Sequence, residues 1–151
     1  MTDEERDLHL ATLRVCRVGT VGALGAPHVS ALWYAWDGGA LWLYSIIKSQ
    51  RWVNLVRDQR VSVVVDTGVE YFELRGVEFI GEVEFVGEQP RVGVPNPELE
   101  VPERLFAERY SGGTWLGYDQ RHAWLRLRPQ KLVSWDFRKL RGTGSPFNPT
   151  R

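Results

Sequence analysis

Apolar and polar positions alternate along most of this chain, and the alternation has the period of extended strands. The cleanest run is Val77 to Phe85: Val77, Phe79, Val83 and Phe85 share one face, Glu78, Glu82 and Glu84 the other. This strand is expected to have a wet side. Val15 to Val21 reads as an earlier strand, left through a turn at Gly22, Gly25 and Pro27. In His28 to Trp36, Val29, Ala31, Trp33 and Ala35 alternate with Ser30, Leu32, Tyr34 and Trp36. Both faces are apolar enough to be covered, one by the core and the other by a ligand or a second subunit. Asp37-Gly38-Gly39 is a hairpin signal, and Ala40 to Ile47 is the returning strand. Arg60 to Asp66 is rich in β-branched residues, as a central strand is. Arg121 to Arg128 and Lys131 to Phe137, joined at Pro129, read as the last two strands.

Helical patterns are confined to three short stretches. Thr2 followed by Glu5 forms a capping box, after which Leu8, Leu10, Ala11 and Leu13 make an apolar face. Arg51 to Arg57 reads as a helix capped by Ser49, with Val53, Leu55 and Val56 turned inward. Glu103 to Tyr110 is a third, stopped by Gly112-Gly113. Four prolines between Gln89 and Pro102 predict a surface loop there. The expected organisation is one domain, 1–141, with a flexible tail, 142–151. Many closely spaced strands with few helices predict a mainly β, antiparallel barrel of six to seven strands. The spacing of Gly19, Gly22 and Gly25 does not fit the fingerprint of a dinucleotide-binding fold.

Composition narrows the function. The 151 residues carry nineteen basic and nineteen acidic side chains, a balance that argues against nucleic acid as a partner. Cys16 is the sole cysteine and reads as a small buried hydrophobe; no internal disulfide can form. The N-terminus lacks a basic-then-apolar leader, and no run approaches the roughly 18 apolar residues of a membrane span. The expectation is a cytoplasmic protein that does not engage a membrane. His9, His28 and His122 have no metal-ligand spacing, so no metal site is expected. Glu82, Glu84, Arg126 and Arg128 read as exposed strand faces.

The candidate chemistry lies in Pro27 to Asp66. Four tryptophans, Trp33, Trp36, Trp42 and Trp52, flank the turn Lys48-Ser49-Gln50-Arg51. That turn opens a helix, where free N–H groups and the macrodipole favour an anion. Together they suit a flat aromatic ligand bearing a phosphate. The plainer alternatives are a solvated, serine-capped helix start and aromatics that fill a core or an interface.

The passage from His28 to Ser62 carries the DGG hairpin, the LYS strand end and S-x-R-W-V-N-L-x-R-D-x-R-V-S. It resembles the pyridoxamine 5'-phosphate oxidase-like flavin-binding split barrels. The resemblance implies an antiparallel split β-barrel that works as a homodimer with its cofactor at the subunit interface. It implies that Val29, Ser30, Ala31, Leu32, Trp33 and Tyr34 run along the cofactor ring, largely through backbone. Tyr44 and Ser45 match a cofactor-contacting pair. Gln50 and Arg51 match a phosphate-gripping pair, in the turn with Ser49, and Lys48 supplies the charge that Gln50 lacks. Trp115, Trp124 or Arg126 of the partner subunit would close the pocket.

Departures point away from pyridoxal phosphate synthesis. Val29 and Tyr34 stand where those oxidases have basic residues, Gly76 replaces a glutamine against the ring, and Ser134 to Arg138 replaces their Arg-x-His motif. The variant resembles the branch using the deazaflavin coenzyme F420, with FMN as the alternative. The expected function is hydride transfer between that cofactor and a small conjugated organic substrate, with no side chain assigned as acid or base. A non-catalytic flavin- or haem-binding or storage protein is the alternative, and a purely structural dimer a third.

Overall fold

The computed structural model describes residues 1–115 and 117–141; the predicted tail 142–151 lies outside them. The elements are α1 (Asp3–Thr12), β1 (Val15–Val21), β2 (Pro27–Trp36), β3 (Leu41–Ile46), α2 (Gln50–Arg57), β4 (Arg60–Thr67), β5 (Arg75–Val86), α3 (Pro97–Tyr110), β6 (His122–Leu127) and β7 (Lys131–Asp136). The order β4-β1-β2-β3-β6-β5 closes on β4, so six antiparallel strands form a barrel, and β7 pairs with β5. Closure removes the open edges that such strands would otherwise expose.

The split in the barrel is made by β5. Its first half, Arg75 to Ile80, pairs with β7, and Val83 to Val86 pair with β6. Gly81 marks the crossover. A Cβ there would sit 3.1 Å from Leu127 Cδ1 and 3.3 Å from the Arg128 carbonyl oxygen, so a side chain would press the strands apart. Alternation on β5 is as expected: Val77, Phe79 and Val83 are buried, while Glu82 and Glu84 face water.

A second seam lies between β2 and β3. Their hairpin is fixed by Asp37, whose Oδ1 accepts from the N–H groups of Gly39 and Ala40 and whose Oδ2 accepts from Trp42 Nε1. Pairing runs only from Trp36↔Leu41 to Tyr34↔Leu43. Beyond it the strands part: β2 stays on β1 and β3 stays on β6. Among the described residues, Pro27 to Trp33 therefore has no strand beside it on the side away from β1.

Two cores result. The barrel interior holds Leu10, Val18, Tyr34, Leu43, Val63 and Phe79, among others. A smaller cluster outside the barrel sets Leu99 of α3 against Trp42, Trp124 and Val86.

Three expectations need correction. The third helix begins at Pro97, not Glu103. Asn96 caps it by accepting from Glu98 N–H, and Pro97 occupies the first position, where a missing N–H costs nothing. Pro102 lies inside the helix and is buried, trading one helix hydrogen bond for packing. In α2, Leu55 points inward, but Val53 and Val56 are exposed; Arg51, Trp52 and Asn54 are buried instead. In α1 the capping box of Thr2 and Glu5 is present, yet His9 joins Leu10 inside and Leu8 is exposed.

Candidate functional site

Ser49 closes the start of α2 by accepting from Trp52 N–H at 3.2 Å and donating to the Ile46 carbonyl at 2.8 Å. Its proton and one of its two lone pairs are used in holding the turn. Lys48 and Gln50 stay exposed, and the Gln50 amide donates to Asn54 along the helix. Arg51 points the other way and is only 7% exposed. Its Nε and Nη2 donate to Ser45 Oγ at 3.1 and 3.0 Å, and its Nη1 to Ser30 Oγ at 2.5 Å. Ser30 belongs to β2 and Ser45 to β3, so the guanidinium spans the seam where those strands part.

Among the described residues no carboxylate pairs with Arg51. Burial pushes its pKa down, and the only charge effect on it comes from the Cys16 thiol. That thiol is itself pushed up to about 12, chiefly by burial, and stays neutral. A buried cation held only by two hydroxyls bears a desolvation penalty of several kcal/mol that neutral acceptors repay in part. An anion would complete the compensation. The open backbone edge of β2 beside it supplies further polar groups. These residues fit a phosphorylated cofactor.

Tyr44 and Ser45 are consecutive, so their side chains leave β3 on opposite faces. Ser45 meets Arg51, while Tyr44 faces a cavity of about 560 Å³ roofed by α3 and the segment after it. Trp33, Tyr44, Phe106, Tyr110 and Trp115 form its aromatic walls, and Leu32 reaches it from the seam. Trp33 stacks on Tyr110 at 4.3 Å, and Tyr44 lies between His122 at 4.9 Å and Trp124 at 4.7 Å. Trp115 packs 5.5 Å from Tyr44 of its own chain.

His122 Nδ1 lies 2.5 Å from Asp119 Oδ2. Burial pushes the Asp119 carboxyl up, but the Arg121 N–H and the His122 ring outweigh it and hold it below the usual carboxylate range. The Tyr44 phenol is pushed up, first by burial and then by Asp119 and Glu103, so it stays neutral.

A buried hub holds the roof. Arg91, 3% exposed, pairs with Glu103 at 2.7 Å and Glu88 at 2.6 Å, and its guanidinium stands over the Tyr118 ring. Its backbone N–H donates to the His122 carbonyl.

The expected site residues thus fall into groups. Ser30, Ser45 and Arg51 meet at the seam, and Leu32, Trp33 and Tyr44 meet at the cavity. Val29 and Ala31 lie on the open outer face of β2, Val29 being 68% exposed. Tyr34 is wholly buried; its hydroxyl donates to the Leu10 carbonyl, and its backbone N–H and carbonyl are both bonded to the Tyr110 hydroxyl. Gly76 lies elsewhere, under Trp135, where a Cβ would come within 2.1 Å of the indole. Trp124 is fully buried, and Arg126 is tied to Glu84 and Glu98. Sequence reasoning missed Phe106, Tyr110 and the Asp119–His122 pair as cavity residues. The only sequence signal was the aromatic content of residues 106–124.

The seam, the buried cation and the aromatic cavity beside it sit in a split antiparallel β-barrel. The sequence model of the pyridoxamine 5'-phosphate oxidase family matches residues 1–95, and the chain belongs to that family. No curated protein matches this sequence. Among solved structures, a conserved hypothetical protein of Mycobacterium tuberculosis, Rv2991, is 35% identical with a TM-score of 0.76, covering 93% of this chain and 88% of its own. An F420 reductase is 22% identical with a TM-score of 0.63 over 84% of this chain and 94% of its own. HutZ, the haem storage protein of Vibrio cholerae, is 19% identical with a TM-score of 0.67 over 88% of this chain and 94% of its own. The last two show the fold alone. Among the described residues no helix is long and apolar enough to cross a membrane.

Proposed function

We propose that this chain is a cytoplasmic oxidoreductase that binds coenzyme F420, or FMN in its place, and serves a small conjugated organic substrate. The observation that carries the reading is Arg51: a buried guanidinium, without a carboxylate partner, bridging two strands at an open seam. Ser30, Ser45 and Arg51 hold the cofactor phosphate, with Lys48 near the mouth, and the free edge of β2 lies along the ring. When bound, the cofactor supplies hydride chemistry; the protein orients it and excludes water. The F420 reductase among the structural neighbours supports this choice of cofactor.

The outer face of β1 and β2 exposes Val15, Val29 and Trp33. A second copy of the chain covers this apolar surface, giving a homodimer with the site at its interface.

A second reading is favoured by His122. Its Nδ1 is held by Asp119 and it lines an aromatic cavity, the arrangement of an imidazole poised to ligate a metal through its other nitrogen. In that reading the chain stores or carries haem and performs no turnover; HutZ supports it. Titrating the purified protein with F420, FMN and haem separates the two. Micromolar binding of F420 or FMN, with reduction of a conjugated substrate, supports the first. Haem binding alone, with loss on His122→Ala, supports the second.

A further inference from the structure

The turn that leads into β6 leaves one nitrogen free beside the aromatic cavity. Asp119 Oδ1 accepts from the N–H groups of Arg121 and His122 at 2.9 and 3.1 Å, and Oδ2 meets His122 Nδ1. Gln120, between them, holds a φ of 56°, a left-handed conformation that side chains rarely adopt and that the Asp119 bonds keep in place. The His122 carbonyl accepts from the Arg91 N–H, and Tyr44 stacks on the imidazole. Because the Asp119 carboxylate is ionised and only accepts, Nδ1 of the neutral imidazole carries the proton and Nε2 presents a lone pair. Among the described residues Nε2 has no partner, yet it is not sealed. The side chain is 25% exposed, and the buried polar atoms that lack a partner are Tyr44 Oη, Arg75 Nε and Trp115 Nε1. Other hydroxyls of the lining are spent within the fold, Tyr110 on main-chain groups of Arg14 and Tyr34, Ser111 on the Ala107 carbonyl. An unmet acceptor in an aromatic cavity calls for a ligand that donates.

We propose that this cavity binds a planar aromatic alcohol, whose hydroxyl donates to His122 Nε2 and whose ring lies against the apolar lining of Leu32, Trp33 and Phe106. Asp119 fixes both the tautomer and the angle of the imidazole before the ligand arrives, so the site selects a donor over an acceptor of the same shape. Calling this alcohol the substrate rests on the oxidoreductase reading above; its binding does not.

The test compares 2-naphthol with 2-methoxynaphthalene, alike in ring and oxygen, of which only the first can donate. Each is titrated into the full chain without cofactor by equilibrium dialysis. The naphthol is expected to bind about ten-fold tighter, a factor typical of one satisfied hydrogen bond. His122→Phe, which keeps an aromatic ring, is expected to bring the two affinities within about two-fold of each other. Asp119→Asn tests the tautomer itself. The two N–H groups on Oδ1 hold the amide oxygen at that end, which leaves its NH2 facing Nδ1. The imidazole then accepts at Nδ1 and carries its proton on Nε2, where a methoxy oxygen is as good a partner as a hydroxyl, and the preference is lost with the histidine still in place. Equal affinity of the two probes for the wild type overturns the proposal, as does a preference that survives in either variant. An FMN titration run alongside reads the seam separately. If FMN fails to bind while the naphthol preference holds, the cofactor reading fails and this proposal stands; FMN binding without any preference keeps that reading and overturns this one.

Discussion

Replacing Arg51 by methionine removes the charge while filling most of the volume, and the two consequences should run in opposite directions. Without a ligand, the guanidinium makes three hydrogen bonds to Ser30 and Ser45. At about 1.5 kcal/mol each, the low end for a charged donor on a neutral acceptor, they contribute about 4 to 5 kcal/mol. Against this stands a desolvation penalty of several kcal/mol for a cation only 7% exposed. The bonds repay most of the penalty but not all of it, so Arg51→Met is expected to leave the stability of the free protein within about 1.5 kcal/mol of wild type, by urea unfolding followed through tryptophan fluorescence. With a phosphate present, the wild type gains a charge-assisted grip of about 3 kcal/mol, or roughly a hundred-fold in affinity, that the variant lacks. Riboflavin, which has the ring of FMN but no phosphate, should bind both proteins alike. A free protein destabilised by more than 3 kcal/mol, together with an FMN-to-riboflavin preference that survives in the variant, would show that Arg51 is a structural strut rather than a phosphate ligand.

Arg91→Ala should cost about 3 kcal/mol in denaturant unfolding, because it strands Glu88 and Glu103 beside a buried hub; their partial solvation keeps the loss at the low end for a broken buried pair. A loss under 1 kcal/mol would mean that the roof of the cavity is held by other contacts. If the proposed homodimer forms through the exposed outer face of β2, Val29→Asp should convert it into a folded monomer in sedimentation equilibrium; a wild type that is already monomeric, or a dimer unaltered in the variant, would refute an interface there. Acid should destabilise the fold in two windows. Burial holds His9 below its ordinary 6.5, so the unfolded chain takes up its proton first, and stability falls as pH drops below about 6.5. Arg138 and its N–H hold Asp136 down at about 2 against burial, so a further loss runs from about 3.8 toward 2. His9→Gln should flatten only the upper window of a stability-against-pH profile.

The barrel was legible in the sequence where one strand face was wet. On β5 the period-two pattern of Val77, Phe79 and Val83 against Glu82 and Glu84 set both register and side. Asp37-Gly38-Gly39 located its hairpin because the side chain of Asp37 and the positive φ of Gly38 are local properties. The start of α3 was hidden by prolines, whose meaning inverts at a first helical position. The inward face of α2 was misjudged because polar Arg51 and Asn54 take places that hydrophobic periodicity assigns to Val53 and Val56. That exchange is what brings Arg51 to the candidate site.

For the site, the cationic turn was readable, but not its selection of one cation. Ser49 is spent on its cap, Gln50 on Asn54, and Lys48 stays in solvent. Arg51 is committed by two serines, the farther one 21 residues away, which only the fold brings together. The cavity was less legible still. Its roof comes from Phe106 and Tyr110 on α3 and from the glycine-flanked segment that follows, where no periodicity announces a wall.

The most direct measurement is a visible absorbance spectrum of the protein after incubation with F420, with FMN or with haem, followed by desalting. Retention of the F420 or FMN band by the wild type, and its loss from Arg51→Met, is the expected result. A desalted protein that keeps neither band, or keeps one equally well without Arg51, would contradict a phosphate site at the β2–β3 seam.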